Sequence, residues 1–151
     1  MAPAAQTPDP AAPEPVAIDL VNHTGVLDRA TCVELLESTP IGRIGFQVDG
    51  APMVLPVNFA WTEDTIVFRT LEGMKLAAAA DQQAVCFEVD RWDESARTGW
   101  SVVVTGVARE VTEWAEREIL ERIGLVPWAR EEWRTMWVRV EPDVISGRVL
   151  R

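Results

Sequence analysis

Between Phe68 and Ala80 the sequence reads FRTLEGMKLAAAA. Arg69 brings a guanidinium, Thr70 a hydroxyl, Gly73 an open backbone and Lys75 an ammonium. Apolar residues before this stretch and alanines after it place these groups where a strand gives way to a helix. A helix N-terminus carries unpaired N–H groups and a partial positive charge, and a glycine there lets an anion approach the backbone. With two cations and a hydroxyl added, the chemistry on offer is anion binding, phosphate above all. Lys75 is the only lysine in 151 residues, and the other cations are all arginine. An ammonium is a compact point charge that a planar guanidinium does not reproduce. The plainer reading of the same residues is a solvated lysine on a helix and an arginine on the outer side of a strand.

Other reactive constellations are scarce. The one histidine, His23, precedes the expected start of the domain. That excludes a histidine-based triad or a histidine-rich metal site inside it. Neither a GxGxxG fingerprint nor a P-loop is present. Carboxylates are plentiful, but no two fall on an evidently shared apolar face. An enzyme built this way relies on a cofactor for its chemistry. The net charge of −10 and the absence of a basic stripe argue against nucleic acid. The arginines sit beside acids, as in DRWDESAR and AREEWR. Cys32 and Cys86 form no CxxC pair and lie among apolar neighbours, which predicts free buried thiols in a reducing compartment. The start of the chain has no cation-then-apolar pattern of a signal peptide. No run reaches the about 18 apolar residues of a membrane helix. The expectation is a soluble, cytoplasmic protein without a membrane partner.

The elements that must position these groups follow from pattern and punctuation. Five prolines in the first fifteen residues predict an Ala/Pro-rich disordered tail over 1–19. The domain then spans 20–151, its fold beginning near Val26. Asp28 is placed to cap a helix carrying Cys32, Leu35 and Leu36 on one face, and Pro40 closes it. IGRIGFQV alternates, Asp49-Gly50 marks a hairpin, and APMVLPVNFAW returns. Pro52 and Pro56 share one side of that return strand, which predicts an edge or a bulge. IVFRT is the third strand and GMKLAAAA a short helix. AVCFEVDRW and GWSVVVTGVAREV make the fourth and fifth strands. Thr112 is expected to cap a third helix ended by Gly124. MWVRVEPDVISGRVL gives a last strand region broken at Pro142. The sum is a mainly β chain with short helices, its six strands antiparallel and closed into a small barrel.

GRIGFQVDGAPMVLPVNF, IVFRTLEGMKLAAAA, VCFEVDRWDESARTGWSVVVTG and ISGRV, in that order, resemble the flavin-binding split-barrel family related to pyridoxamine 5'-phosphate oxidase. The resemblance runs from about Leu27 to Arg151. It implies a six-stranded split β-barrel, a homodimer, and FMN bound where two subunits meet. It places Leu55, Pro56, Val57 and Asn58 along the flavin ring, with their backbone groups and the Asn58 amide bonding its polar edge. It assigns Arg69, Thr70 and Lys75 to the phosphate. Trp100 and Ser101 form a dimer-side wall, and Arg148 reaches the flavin or the partner. For Asn58 a polar strand end, for Trp100 a core position and for Arg148 a surface salt bridge are the alternatives. The chain ends GRVLR, without the Arg-x-His pair that grips substrate in the vitamin oxidases, so vitamin oxidation does not carry over. Haem-handling and nitroimidazole-resistance relatives use histidines that this barrel lacks. What remains is an FMN-dependent reductase or oxidase of a small molecule, with NAD(P)H a candidate partner. A deazaflavin-dependent reductase is one alternative, although the acidic charge suits that cofactor's acidic tail less. A flavin-binding protein without turnover is the other.

Overall fold

The computed structural model describes residues 12–71, 82–128 and 136–151. Eight strands and two α-helices are seen there. β1 (Ala17–Asp19) and β2 (Thr24–Leu27) precede helix α1 (Arg29–Ser38). Then come β3 (Ile41–Val48), β4 (Ala51–Thr62) and β5 (Thr65–Thr70). β6 (Gln83–Asp93) and β7 (Thr98–Glu110) follow, then helix α2 (Trp114–Glu121) and β8 (Met136–Leu150). The expected GMKLAAAA helix, with Gly73 and Lys75, lies outside the described residues. Among the described residues no helix is long and apolar enough to cross a membrane.

All pairings are antiparallel, and six strands close on themselves in the order β3–β4–β5–β8–β7–β6 and back to β3. The six are those predicted from alternation and turn residues. Asp49 and Gly50 both have positive φ, at 50° and 80°, as the mirror-image two-residue hairpin turn requires. Glu63 and Asp64 do the same between β4 and β5. Alternation sends Ile44, Phe59, Phe68, Phe87, Val102, Val104 and Val138 into one buried core. Phe59 and Phe87 meet there edge to face with centroids 4.7 Å apart, the arrangement aromatic quadrupoles favour. Helix α1 adds Cys32 and Leu36 to that core. Asp28 caps it as expected, accepting the Thr31 N–H at 2.8 Å.

Four expectations need correction. The last strand is not broken at Pro142. β8 runs through, with a register shift where Thr105 faces Val144 and Gly106 faces Pro142, leaving Asp143 as the extra residue of a bulge. Gly106 makes this fit possible, since a Cβ there would come 2.1 Å from the Glu141 carbonyl oxygen. Helix α2 starts one residue later than predicted, at N-cap Glu113, which makes no side-chain capping bond. Cys32 is buried, and desolvation pushes its thiol above the usual value. Cys86, in contrast, is exposed, because Val85, Phe87 and Val89 take the inward positions of β6.

The fourth correction concerns the tail. Residues 17–19 form β1, paired with β2, which in turn pairs with β8. The Val16 N–H donates to the Val26 carbonyl at 2.8 Å. Arg151 binds the Ala12 and Pro13 carbonyls at 3.3 and 2.9 Å and the Glu14 carboxylate at 2.8 Å. Composition correctly flags few apolar residues here, but a short strand needs only a free edge to pair with. Deleting residues 1–19 should therefore lower the melting temperature measurably, by the loss of several hydrogen bonds worth about 1 kcal/mol each. Deleting 1–11 removes none of these contacts. Circular dichroism melts of the two truncations check this, and equal melting points would refute a structural role for β1.

Candidate functional site

Strand β4 is long, but β5 covers only its end. Pairing between them runs from Thr62 opposite Thr65 to Phe59 opposite Phe68 and stops. Among the described residues, 51–58 of β4 pair with β3 on one side only. The Phe59 N–H donates to the Pro40 carbonyl, on the β3 side, at 3.3 Å. Backbone groups alternate along a strand, so the backbone of Val54, Pro56 and Asn58 points to the unpaired edge. Pro52 and Pro56 sit where a missing N–H costs no ladder bond. The edge expected from these prolines is present, without a bulge in β4. The same alternation turns the backbone groups of Leu55 and Val57 toward β3 and their side chains toward the core. Of the four ring-edge residues predicted, Pro56 and Asn58 present backbone groups to this edge.

Continuing the β4–β5 register one step past Phe59 sets Asn58 across from Arg69 on the outer wall, at the fork where the strands part. The Arg69 guanidinium lies 5.5 Å from the centroid of the Trp137 ring, within cation–π range. Asn58 Oδ1 accepts the Trp128 backbone N–H at 2.7 Å, so the side chain that was to bind a ring edge also holds the chain after α2. Thr70 faces the other way. It is 2% exposed and follows Ile66 and Phe68 into the barrel, so Arg69 and Thr70 lie on opposite faces of β5. Lys75 lies outside the described residues.

Below the fork the outer wall is covered by α2. Val67, Val111, Leu120 and Trp137 form a second buried cluster. Arg109 and Arg139 stand directly opposite each other on β7 and β8. Glu116 on α2 bridges both, at 2.8 Å from Arg109 Nη2 and 2.7 Å from Arg139 Nε, while Glu141 at 2.9 Å from Arg109 and Glu63 at 3.3 Å from Arg139 supply further carboxylates. Arg139 is 5% exposed and also donates to Thr65 Oγ1 at 2.7 Å. The Trp137 indole N–H donates to Glu121 at 2.7 Å. Hydrogen bonds from Arg109, and the charges of both arginines, hold the Glu116 carboxyl below its usual value.

The remaining predicted residues gather elsewhere. Ser101 on β7 faces Asp90 on β6 and Arg148 on β8. Arg148 donates to the Gly147 carbonyl at 3.0 Å and lies 3.7 Å from Asp19 of β1. Arg43 binds Glu88 at 3.0 Å and Asp90 at 3.1 Å. Burial, then the adjacent Asp90 charge, pushes the Glu88 carboxyl up despite that arginine. Trp100 is not part of this surface. It is 5% exposed and points into the barrel, because Ser101 takes the outward position. The sequence reading overlooked Trp92, which faces outward on the same wall; its signal was a tryptophan across a hairpin from a glycine, in DRWDESARTG. Strands β3 and β6 separate this group from the fork. Three inter-strand steps from β4 to β7 amount to roughly 14 Å of curved wall. A cleft of about 410 Å³ opens on that wall between β3 and β6, lined by Gln47, Val54, Cys86, Thr105 and Asp143 among others. It includes none of the predicted residues.

The family model described as pyridoxamine 5'-phosphate oxidase matches residues 28–149. The solved structure of an FAD binding protein from Mycobacterium smegmatis is 41% identical and superposes with a TM-score of 0.72, covering 83% of this chain and 98% of its own. A conserved protein of unknown function from Corynebacterium diphtheriae is 30% identical with a TM-score of 0.73, over 85% of this chain and 98% of its own. An uncharacterized protein of Mycobacterium tuberculosis is 35% identical over 126 residues, 80% of this chain and 82% of that protein.

Glu116→Gln should destabilise the fold by about 1–2 kcal/mol near neutral pH, since it leaves the buried Arg139 with only the more exposed Glu63 carboxylate, 3.3 Å away. The folded carboxyl is held low, so its contribution is full above the unfolded value and fades as pH falls through the folded one. The gap in urea-melt stability between wild type and variant should therefore shrink on acidification. A gap independent of pH would refute the charge-based account.

Proposed function

The chain belongs to the pyridoxamine 5'-phosphate oxidase family, and from that membership and the geometry of the fork we propose that it is a flavoprotein. In this reading FMN sits between two copies of the chain, which together act as an oxidoreductase on a small molecule. The observation that carries the reading is the fork itself. An unpaired β4 edge, cleared of two donors by Pro52 and Pro56, runs up to Asn58 and Arg69. A flat ring with a polar rim fits such an edge, because it satisfies backbone groups that no strand covers. Arg69, with Lys75 on the segment that follows, matches the phosphate by charge. The FAD binding relative supports a flavin in particular.

Two copies are needed because the predicted residues fall into two groups. Ser101 and Arg148 stand across β3 and β6 from the fork. A two-fold dimer would bring this group of one copy against the fork of the other. Val54 on β4, Val103 on β7 and Val144 on β8 are exposed on the outer wall, and an isologous contact would bury them. Bound flavin supplies hydride or electron transfer. The chain's own part is to hold and orient: Arg69 and Lys75 fix the phosphate, Pro56 and Asn58 present the strand edge, and the partner's wall excludes water. No histidine or paired carboxylate is required of it, in keeping with a sequence that offers neither there.

Purified protein should be yellow, with a mass by light scattering twice the 16.8 kDa of one chain. Anaerobic NADH or NADPH should bleach the flavin if the protein turns over as a reductase. Arg69→Met and Lys75→Met should each weaken FMN roughly ten- to a hundredfold while leaving riboflavin nearly unchanged. Equal losses for both ligands would move these residues away from the phosphate. Failure to bind any flavin would overturn the reading.

A further inference from the structure

Trp92 is half exposed, at 51%, yet it is held at both ends of its ring. Its Nε1–H donates to Asp90 Oδ2 at 2.8 Å. Asp90 is itself fixed by Arg43, 3.1 Å from its other oxygen. The benzenoid side of the indole lies over Gly99, directly across the hairpin. A Cβ at Gly99 would come 2.2 Å from Trp92 Cε3 and 2.8 Å from Cδ2, and also 2.6 Å from the Arg91 carbonyl oxygen, so both the indole and the ladder require the glycine. An incidental surface tryptophan needs neither constraint. Here a hydrogen bond and a glycine combine to set one rotamer of a large, partly solvated ring.

The ring stands on the wall that carries Ser101 and Arg148. Asp90 pairs with Ser101, Trp92 pairs with Gly99, and Ser101 pairs with Arg148. We propose that Trp92 is an aromatic wall of the flavin site, its indole stacking on the isoalloxazine ring held at the fork of the other copy; this rests on the flavin reading above. Both carboxylate oxygens of Asp90 are engaged, one by the indole N–H and one by the Arg43 guanidinium, which offsets its charge and fixes its position. An indole fixed before the ligand arrives loses little further freedom on binding. Offset stacking of an electron-rich indole on an electron-poor tricycle is favourable beyond the area it buries. Trp92 thereby takes the part that the sequence offered to Trp100, which the barrel interior claims.

The test uses full-length protein and three probes: lumiflavin, which is the ring alone, FMN and FAD. Trp92→Ala should lower affinity for all three alike, roughly three- to tenfold. It should also raise the emission of bound flavin, since an adjacent indole quenches it. Trp92→Phe should recover much of the affinity but not the quenching. Trp114→Ala, at an exposed tryptophan on α2, should change neither readout. Light scattering follows the mass of every variant. Unchanged affinity and emission in Trp92→Ala would overturn the proposal. So would a loss confined to FAD, which would put the indole on the adenine. So would dissociation to monomers, which would make Trp92 an interface residue instead. Wild-type protein that is dimeric but binds none of the probes would fell the flavin reading first, and this proposal with it.

Discussion

The barrel depends on one ladder. β7 and β8 pair along nearly their whole length, from Gly99 opposite Leu150 to Glu110 opposite Val138. β8 then reaches β5 with its first half and β2 with its last residues. Without this ladder the sheet would be an open ribbon with two long edges, prone to pair with other chains. With it, the core of phenylalanines and valines is sealed. The unpaired outer edge of β4 at the fork is then left where closure does not reach.

Alternation decides the rest. Each strand offers its residues to two faces, and each pair of neighbours in sequence is divided between them. Thr70 is drawn inward and Arg69 outward. Trp100 is inside and Ser101 outside. Leu55 and Val57 serve the core and the β3 ladder, while Pro56 and Asn58 serve the edge. The outer wall therefore carries two polar groups separated by β3 and β6.

Much of this was legible in the sequence, and the reasons for the remainder are physical. The six long strands announced themselves by period-two patterning and by turn residues such as Asp49-Gly50. Asp28 announced α1. The prolines of β4 announced an edge. Register was not legible, because it is set by partners distant in sequence. That is why Asn58 and Arg69 emerge as neighbours only in three dimensions, and why Glu116 was not seen to join Arg109 to Arg139. β1 was hidden because alanine and proline around it signal disorder while its pairing depends on a free edge of β2. Trp100 was singled out because the resemblance pointed to the GWSVVV strand, and only the inside–outside assignment shows that it faces the core while Trp92 faces outward.

The bulge at Asp143 has a consequence of its own. Before it, β8 sends Met136, Val138 and Val140 into the barrel core, with Trp137 and Arg139 buried on the other face; after it, Ile145 and Val149 face the core. Even numbers give way to odd. The extra residue works as a phase shifter, letting a single strand serve the barrel core along both its halves although a plain count of two would turn one half inside out. Position 143 is thus a hinge of parity rather than of motion. The chain there can tolerate a change of residue type far better than a change of length, because losing one residue would exchange core for surface over everything from Val144 to Leu150.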